Sequence, residues 1–294
     1  MANSIVKQDA WQNAIIANVH ATNIALSFCD TTPVVVNAGT AKILSTGLIT
    51  AGNYTPGSDF TLMDATATAN TLTLDQKPYW AINVDDVERV QTNPEALSQI
   101  TRDGAVAISD AIDTYIFGLY AKAATANKIT GASNAAIPFT GGSAKDPYET
   151  IVDLATALTK SNAPLTNRWL VVSPEIYGIL LKDKDHFINV SNLGNTVVTA
   201  AQFGEVASRP GLVGSIAGFS VYCSNHLTKA SSNANVYLVG GQGTPFHFAS
   251  QLGDVEFVRP SMQFSTVAKQ LVTFGADVLG PNSAKLGLIY AVNS

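Results

Sequence analysis

The chain has 294 residues, a net charge of −5, and only 13% charged residues. This length fits one large domain or two medium ones. The acidic balance argues against direct binding of nucleic acid, because proteins that grip it directly are usually basic. Typical soluble domains carry about 25% charged residues. The shortage fits either a surface that other subunits cover or a surface rich in small polar residues, and composition leaves both open.

The sequence contains no pattern typical of a membrane span or a secretory signal. Its longest apolar stretch, residues 14–28, is interrupted by several polar side chains. We therefore expect the chain to fold in a cytoplasm. Cys29 and Cys223 have no metal-ligand spacing, so buried free thiols are favoured over a disulfide.

Residues 1–28 have large apolar side chains at roughly helical spacing. This pattern predicts an N-terminal helix, with Ser4 as its cap and with Asp30-Thr31-Thr32-Pro33 after its end. The helix is either an arm that reaches another subunit or an ordinary first helix packed on its own domain.

Residues 40–75 are polar and poor in large apolar side chains. Alternation around Phe60 and again around Leu72 has a period of two, which predicts two strands of a long ribbon. A two-stranded ribbon has no core of its own. It must lie either on a neighbouring subunit or back on its own.

A long amphipathic helix is predicted from about residue 94 to residue 121. Asn93 can cap it, Pro94 suits the first helical position, and Glu95 complements the helix dipole. At about 1.5 Å per residue this rod is about 40 Å long, enough to span a domain. One apolar stripe follows its length, formed by Leu97, Ile100, Gly104, Ile108, Ile112, Tyr115 and Leu119.

The second half of the chain mixes helices with strands and shows no fixed-period repeat. We therefore predict an α+β fold. The expected elements are a loop or weak hairpin over 122–145, a helix capped by Asp146 to about residue 160, a buried strand over 168–172, a helix that begins at Ser173-Pro174-Glu175, a loop over 190–212, a turn and a strand over 214–222, a strand over 236–239, and further strands from Phe246 to the end.

The sequence offers weak signals for an enzyme site. Gly141–Lys145 lacks the last glycine of a nucleophile elbow, and Gly240–Pro245 lacks the lysine of a phosphate loop and indicates a tight turn. The histidines are far apart in sequence and are better interpreted as surface or core residues than as metal ligands. They are His20, His186, His226 and His247.

Acidic residues recur before and along the predicted rod. Asp103, Asp110 and Asp113 follow helical spacings of seven and three, so they share a polar face, where solvation or salt bridging is the favoured interpretation. Asp85, Asp86 and Glu88 precede them. Residues distant in sequence can meet in a fold, but no constellation stands out. We predict no catalytic, cofactor-binding or metal-binding residues.

Several segments, in this order, resemble the major capsid proteins of tailed double-stranded DNA bacteriophages. Together they cover most of the chain, and the ordered set is more specific than any one segment. They are the ribbon over 41–75, the Tyr79-Trp80 strand with Asp85-Asp86 and Gln91, the helix over 94–121, the segment 146–160, the strand and helix over 168–181, the Gly218-Phe219-x-Val221-Tyr222 strand with Ser224-Asn225, and the C-terminal strands.

The resemblance implies four sections of a tailed-phage capsid fold and a structural role without enzyme activity. Subunits would form pentamers and hexamers of an icosahedral head that encloses double-stranded DNA without sequence-specific binding. Scaffolding, portal and cement proteins would be its partners, and it would be found in the virion after assembly in the host bacterial cytoplasm. The sections would be an N-terminal arm (1–40), an extended loop (41–85), a peripheral domain (86–145 and 241–294) and an axial domain (146–240).

One departure bears on how the shell would be stabilised. Members of this family that crosslink their shell subunits covalently use a lysine on the extended loop. Residues 43–76 contain no lysine, and Lys42 and Lys77 flank them. We therefore expect no isopeptide crosslinks. Two alternatives remain at this point: an encapsulin-like nanocompartment subunit that holds cargo enzymes, and an enzyme on an unrelated α+β fold with a well-formed pocket.

Overall fold

The structure is a computed structural model. It describes residues 23–31, 36–37, 40–46, 56–57, 67–85, 94–140, 144–182, 187–189, 211–230, 234–252, 256–260 and 264–292. Most of the predicted N-terminal helix and the predicted strand around Phe60 lie outside these ranges. Within them, helices and three sheets form the α+β architecture that the sequence predicts.

The helices and strands have the following bounds. The α-helices are α1 (Pro94–Gly118), α2 (Pro147–Lys160) and α3 (Pro174–Leu180). The strands are β1 (Cys29–Asp30), β2 (Val36–Asn37), β3 (Thr40–Thr46), β4 (Ala67–Thr73), β5 (Tyr79–Asp85), β6 (Lys128–Ile129), β7 (Arg168–Val172), β8 (Ile188–Asn189), β9 (Leu212–Ile216), β10 (Phe219–Cys223), β11 (Lys229–Ala230), β12 (Asn235–Gln242), β13 (Phe246–Leu252), β14 (Glu256–Val258), β15 (Ser265–Asp277) and β16 (Leu286–Val292).

The predicted rod is confirmed as α1, which has 25 residues and continues as a 3-10 turn over Leu119–Lys122. Ile108 and Ile112 are buried, as the apolar stripe predicts. Gly104 lies under the indole of Trp80, where an added Cβ would be 3.4 Å from the ring. The stripe therefore faces the sheet to which β5 belongs.

That sheet has five strands, with β15 as its centre. β5 and β14 both pair antiparallel with the first half of β15, at residues 265–271 and 267–269 respectively, while β13 pairs antiparallel with its second half. β1 pairs parallel with β13. One face packs on α1 through Trp80 and Phe274, and the Phe274 ring meets the edge of Tyr115 at 5.5 Å between centroids.

A second sheet has eight strands in a mixed arrangement. Its main path runs β6-β16-β12-β7-β10-β9-β8, and β11 pairs with β12. β7 and β10 are parallel neighbours, and every residue of β7 is buried, which confirms the predicted buried strand. α2 packs on this sheet with Ile151, Leu154 and Leu158 buried. The predicted cap is also confirmed, since Asp146 Oδ1 accepts a hydrogen bond from the Tyr148 N–H at 2.9 Å.

Two local predictions in this sheet need correction. Residues 214–216 belong to strand β9, and the turn before β10 is formed by Ala217 and Gly218, both at positive φ (47° and 81°). A two-residue turn of this kind matches the right-handed twist of a hairpin. The predicted tight turn at Gly240–Pro245 begins later, because Gly240 and Gly241 are part of β12. The absence of side chains at these two glycines permits close packing: a Cβ on Gly240 would lie 3.1 Å from Leu154 and from Leu170.

The eight-stranded sheet contains segments from both sides of the predicted boundary at residue 240. β12 crosses this boundary, and β16 pairs with β12 along its length, from Asn235 opposite Val292 to Gly241 opposite Leu286. Strand β6, at residues 128–129, joins at the edge of β16. Ladder pairing thus brings the last strand of the chain to the sheet that holds β7 and β10.

The third sheet consists of β2, β3 and β4. β3 and β4 form an antiparallel hairpin with Thr40 opposite Thr73 and Thr46 opposite Ala67. At the hairpin base, Ala41, Leu72 and Leu74 form a small buried cluster with Ala249 and Leu279. The hairpin base is therefore fixed to the five-stranded sheet of its own subunit.

Candidate assembly surface

The outer face of the five-stranded sheet carries apolar side chains that no described part of the chain covers. Tyr79 on β5 and Leu271 on β15 are directly paired across the ladder. Their exposed fractions are 76% and 48%, and Val258 on β14 is also exposed. We define the outer face as Tyr79, Ala81, Glu256, Val258, Lys269 and Leu271.

Strand alternation produces this face. Successive side chains point to opposite sides of a sheet, so burying Trp80 and Gln270 against α1 turns Tyr79 and Leu271 outward. The Trp80 Nε1–H donates a hydrogen bond to Gln270 Oε1 at 3.1 Å. This bond satisfies two polar groups on the buried side, which would be costly to leave unpaired.

One ion pair crosses the outer face. Lys269 Nζ lies 2.8 Å from Glu256 Oε2, and these residues are ladder partners on β15 and β14. Both side chains are at least half exposed, and pairs of this kind contribute at most about 1 kcal/mol. The face therefore has an apolar strip with a weakly held charged pair beside it, which is the pattern of a surface that can be covered.

The acidic residues of α1 divide between two environments. Asp103 is exposed and Asp110 is half-buried, with Asp110 Oδ1 3.2 Å from His226 Nε2. Asp113 differs from the prediction of a solvated face: it is buried and accepts backbone hydrogen bonds from Ile24 (3.2 Å) and Ala25 (3.0 Å). Desolvation raises the pKa of Asp113 to about 6.

The described histidines have local partners. His247 Nδ1 lies 3.7 Å from Asp30 Oδ2, and its Nε2 lies 3.0 Å from Asn282 Nδ2. Burial lowers the pKa of His247. Across the described ranges, no group of three or more His, Cys, Asp or Glu side chains is arranged to hold a metal ion. His20 and His186 lie outside those ranges.

The remaining sequence candidates carry no site geometry. The segment Gly141–Ser143 lies outside the described residues, and Gly243 alone of the later glycine run adopts a positive φ, 61°. Cys29 is buried and Cys223 is half-buried, and both thiols are free. Burial raises the pKa of each thiol. No helix in the described part of the chain is both long and apolar enough to cross a membrane.

Comparison with known families identifies the chain. The sequence profile described as phage capsid protein matches residues 79–282, from the start of β5 to the segment before β16, which is more than half of the chain. The chain belongs to the phage capsid protein family. The predicted resemblance is thereby confirmed, and the structural role of this capsid protein in the virion shell follows from its family. No curated protein matches the sequence.

Solved structures agree with the capsid fold. Mycobacterium phage Che8 is similar at 21% identity and a TM-score of 0.62, covering 93% of this capsid protein and 92% of that chain. The capsid of Ralstonia phage GP4 is similar at 10% identity and a TM-score of 0.65, covering 92% and 90%. A native GTA particle capsid is similar at 14% identity and 0.60, also covering 92% and 90%. The comparisons give no support to the encapsulin-like or enzyme alternatives.

Sequence reasoning did not identify the outer face. Leu271 sits in a run of strand-like apolar residues, which indicates burial, while its neighbour Gln270 is polar. In the structure Leu271 is exposed and Gln270 is buried. A signal was available in the pair Tyr79-Trp80, because two adjacent aromatic residues on one strand must point to opposite faces, so that one of them needs a second covering surface.

Proposed function

We propose that this capsid protein forms pentamers and hexamers of an icosahedral phage head, and that a neighbouring copy covers the outer face. The exposed Tyr79–Leu271 pair is the observation that carries the proposal. Shell subunits need large covered areas, since obligate interfaces commonly bury roughly 2,000–5,000 Å². The low charged fraction of 13% fits a chain with much of its surface in such contacts.

The proposed shell encloses double-stranded DNA without reading its sequence. The net charge of −5 supports this, because a strongly basic lining would bind phosphates through counterion release. We propose assembly in the host bacterial cytoplasm, with scaffolding, portal and cement proteins as partners. We also propose that the chain has no catalytic role and that its function is to form contacts between subunits.

We propose the division into arm (1–40), extended loop (41–85), peripheral domain and axial domain, with one change at the C-terminus. The pairing of β16 with β12 supports counting Leu286–Val292 with the axial domain, which otherwise comprises residues 146–240. The antiparallel β3–β4 hairpin supports an extended loop that begins near residue 40. Residues 86–145 and the rest of 241–294 would form the peripheral domain.

Electron microscopy and sedimentation of the expressed chain, alone and with a scaffold, test the shell. The double variant Tyr79→Ser/Leu271→Ser should fold normally but form shells poorly, because it removes the apolar strip. Leu165→Ser is the matched control: Leu165 is also exposed, at 72%, but lies in the connection before β7. Normal shells from the double variant would reject the outer face as an interface. A wild-type chain that stays monomeric under all conditions would reject the shell itself.

A further inference from the structure

The short segment Asn23–Asp30 contacts three parts of the subunit at once. It contains the 3-10 turn Ala25–Phe28 and strand β1. One side meets α1, another meets the eight-stranded sheet, and β1 pairs with β13 of the five-stranded sheet.

At the α1 end, one carboxylate accepts hydrogen bonds from the backbone N–H groups at the start of the turn. The N–H groups of Ile24 and Ala25 donate to Asp113 Oδ2 and Oδ1 respectively, at 3.2 and 3.0 Å. The turn has no side-chain cap from its own N-cap residue, Ile24, so Asp113 supplies the cap from a distant helix. Without it, the buried Ala25 N–H and the partly buried Ile24 N–H would lose these partners, which is costly.

Asn23 adds a second attachment to the same helix. Its Nδ2 donates to the Ser109 carbonyl at 3.2 Å, and its Oδ1 accepts from the Leu26 N–H at 2.6 Å. Asn23 and Ser109 are both buried. The same side chain thus binds α1 and shapes the turn, so the turn geometry and its attachment to the helix depend on each other.

At the sheet end, an aromatic ring makes the contact. Phe28 is buried and stacks on Trp169 of β7 with ring centroids 4.0 Å apart and planes 15° from parallel. The same ring meets Tyr222 of β10 edge-on at 4.9 Å. Aromatic pairs of this geometry add to the stabilisation from burial alone.

We propose that the segment Asn23–Asp30, which we call the clasp, opens and closes as one cooperative unit. In the closed state the hydrogen bonds to the Asp113 carboxylate position the Phe28 ring against the eight-stranded sheet. Phe28 follows Ala25 by only three positions, and this turn has its own i to i+3 bond, from the Ser27 N–H to the Ile24 carbonyl at 3.2 Å. Loss of the hydrogen bonds to Asp113 therefore releases the Phe28 ring as well. Two further contacts, His226 with Asp110 of α1 and Tyr120 of the following 3-10 turn stacked on Tyr237 of β12 at 4.1 Å, keep α1 and its continuation near the sheet when the clasp opens.

Native-state hydrogen exchange on the full-length unassembled chain tests the clasp, since it measures local opening residue by residue. The variants are Asp113→Ala, Phe28→Leu and the double variant. Asp113→Ala should raise the opening constant about tenfold to a hundredfold at Ile24 and Ala25, and equally at Leu26 and Ser27. Asp153→Ala is the control, because Asp153 is an exposed aspartate on α2, and it should leave these four amides unchanged.

The double variant decides between a unit and two independent contacts. If the clasp opens as one unit, Phe28→Leu should raise the opening constant at the Ile24 and Ala25 amides as much as at Leu26 and Ser27, and in the double variant all four amides should show the product of the two single fold-changes. Fold-changes that stay local to each end would overturn the proposal. Asn23→Ala replaces Asp113→Ala in the cycle, with the same two readings, if the latter does not fold. The measurement needs no shell, so its outcome is separate from that of the proposed function.

Discussion

A Cβ atom on Gly275 would overlap the carbonyl oxygen of Thr73. Gly275 lies in the second half of β15, opposite Ala249 of β13, and Thr73 is the last residue of β4. The absence of a side chain at Gly275 therefore lets the base of the β3–β4 hairpin rest directly on the backbone of the five-stranded sheet. The buried cluster of Leu72, Leu74 and Ala41 forms at this place.

Replacing Gly275 by alanine should detach the hairpin base. Because the clash is with backbone atoms, it cannot be relieved by a side-chain rotation, and we expect a loss of about 1–3 kcal/mol in the free energy of unfolding, as for other overpacked sites. Denaturant unfolding of purified variants measures it. Gly178→Ala is the matched control, since a Cβ on this glycine of α3 meets nothing within 4 Å. Equal stability of the two variants would contradict the close packing at Thr73.

Truncating Ile112 tests whether α1 forms part of the core. Ile112 is 3% exposed and belongs to the main apolar cluster. Ile112→Ala should lower the free energy of unfolding by about 2–5 kcal/mol, because it loses buried methyl groups and leaves a cavity. Thermal unfolding reports the change, and Val106→Ala, on the exposed side of the same helix, should alter it far less. An unchanged melting temperature for Ile112→Ala would contradict the packing of α1 into the core.

Gly104 offers a substitution that should increase stability. Its Cβ would lie 3.4 to 3.6 Å from the indole of Trp80, which is ordinary van der Waals contact. Alanine also gains up to about 1 kcal/mol of helix propensity over glycine. We expect Gly104→Ala to stabilise the chain by up to about 1 kcal/mol in urea unfolding, whereas Gly104→Val should destabilise it because its extra methyl groups would press into the ring. A destabilised alanine variant would mean that the indole cannot accept the Cβ.

Asp113 should make the stability of the chain depend on pH in an identifiable direction. Desolvation raises its pKa to about 6; the Ala25 and Ile24 N–H groups and His226 lower it, and Asp110 raises it further. An unfolded aspartate titrates near 3.9. Since the folded state binds this proton more tightly, the contribution is complete below about pH 4 and is lost as pH rises through about 6.

The comparison with Asp113→Asn isolates this group from the other carboxylates. From about pH 4 to pH 7, the stability of the wild type relative to this variant should fall by about 2–3 kcal/mol, because about two units of pKa shift correspond to that free energy. Urea unfolding at several pH values measures it, with Asp153→Asn as the exposed control. A stability difference that stays constant across this range would show that Asp113 titrates as an ordinary surface aspartate.

The local elements could be predicted because short-range rules decide them. Asp146 followed by Pro147 indicates a helix start because the cap and the first helical position are adjacent in sequence, and the apolar spacing of Ile151, Leu154 and Leu158 defines one face of the helix that follows. The capsid resemblance rested on the order of such elements. Gly240 and Gly241 misled the prediction, because glycine indicates a turn unless close packing requires it, and that packing comes from α2 and β7.

The amino-acid order by itself determined the long rod, the buried β7 strand and the α+β capsid fold, since periodicity and capping depend on residues within a few positions of each other. Only the tertiary structure decided which side of β15 is inside. Gln270 is buried and Leu271 is exposed because Gln270 shares its side of β15 with the buried residues Val272 and Phe274, and the Trp80 N–H gives its side-chain oxygen a donor there. The tertiary structure likewise decided that Asp113 is buried, where it accepts a hydrogen bond from the Ala25 N–H, 88 residues away in the sequence. Hydrogen bonds of this kind join distant segments that only the fold brings together.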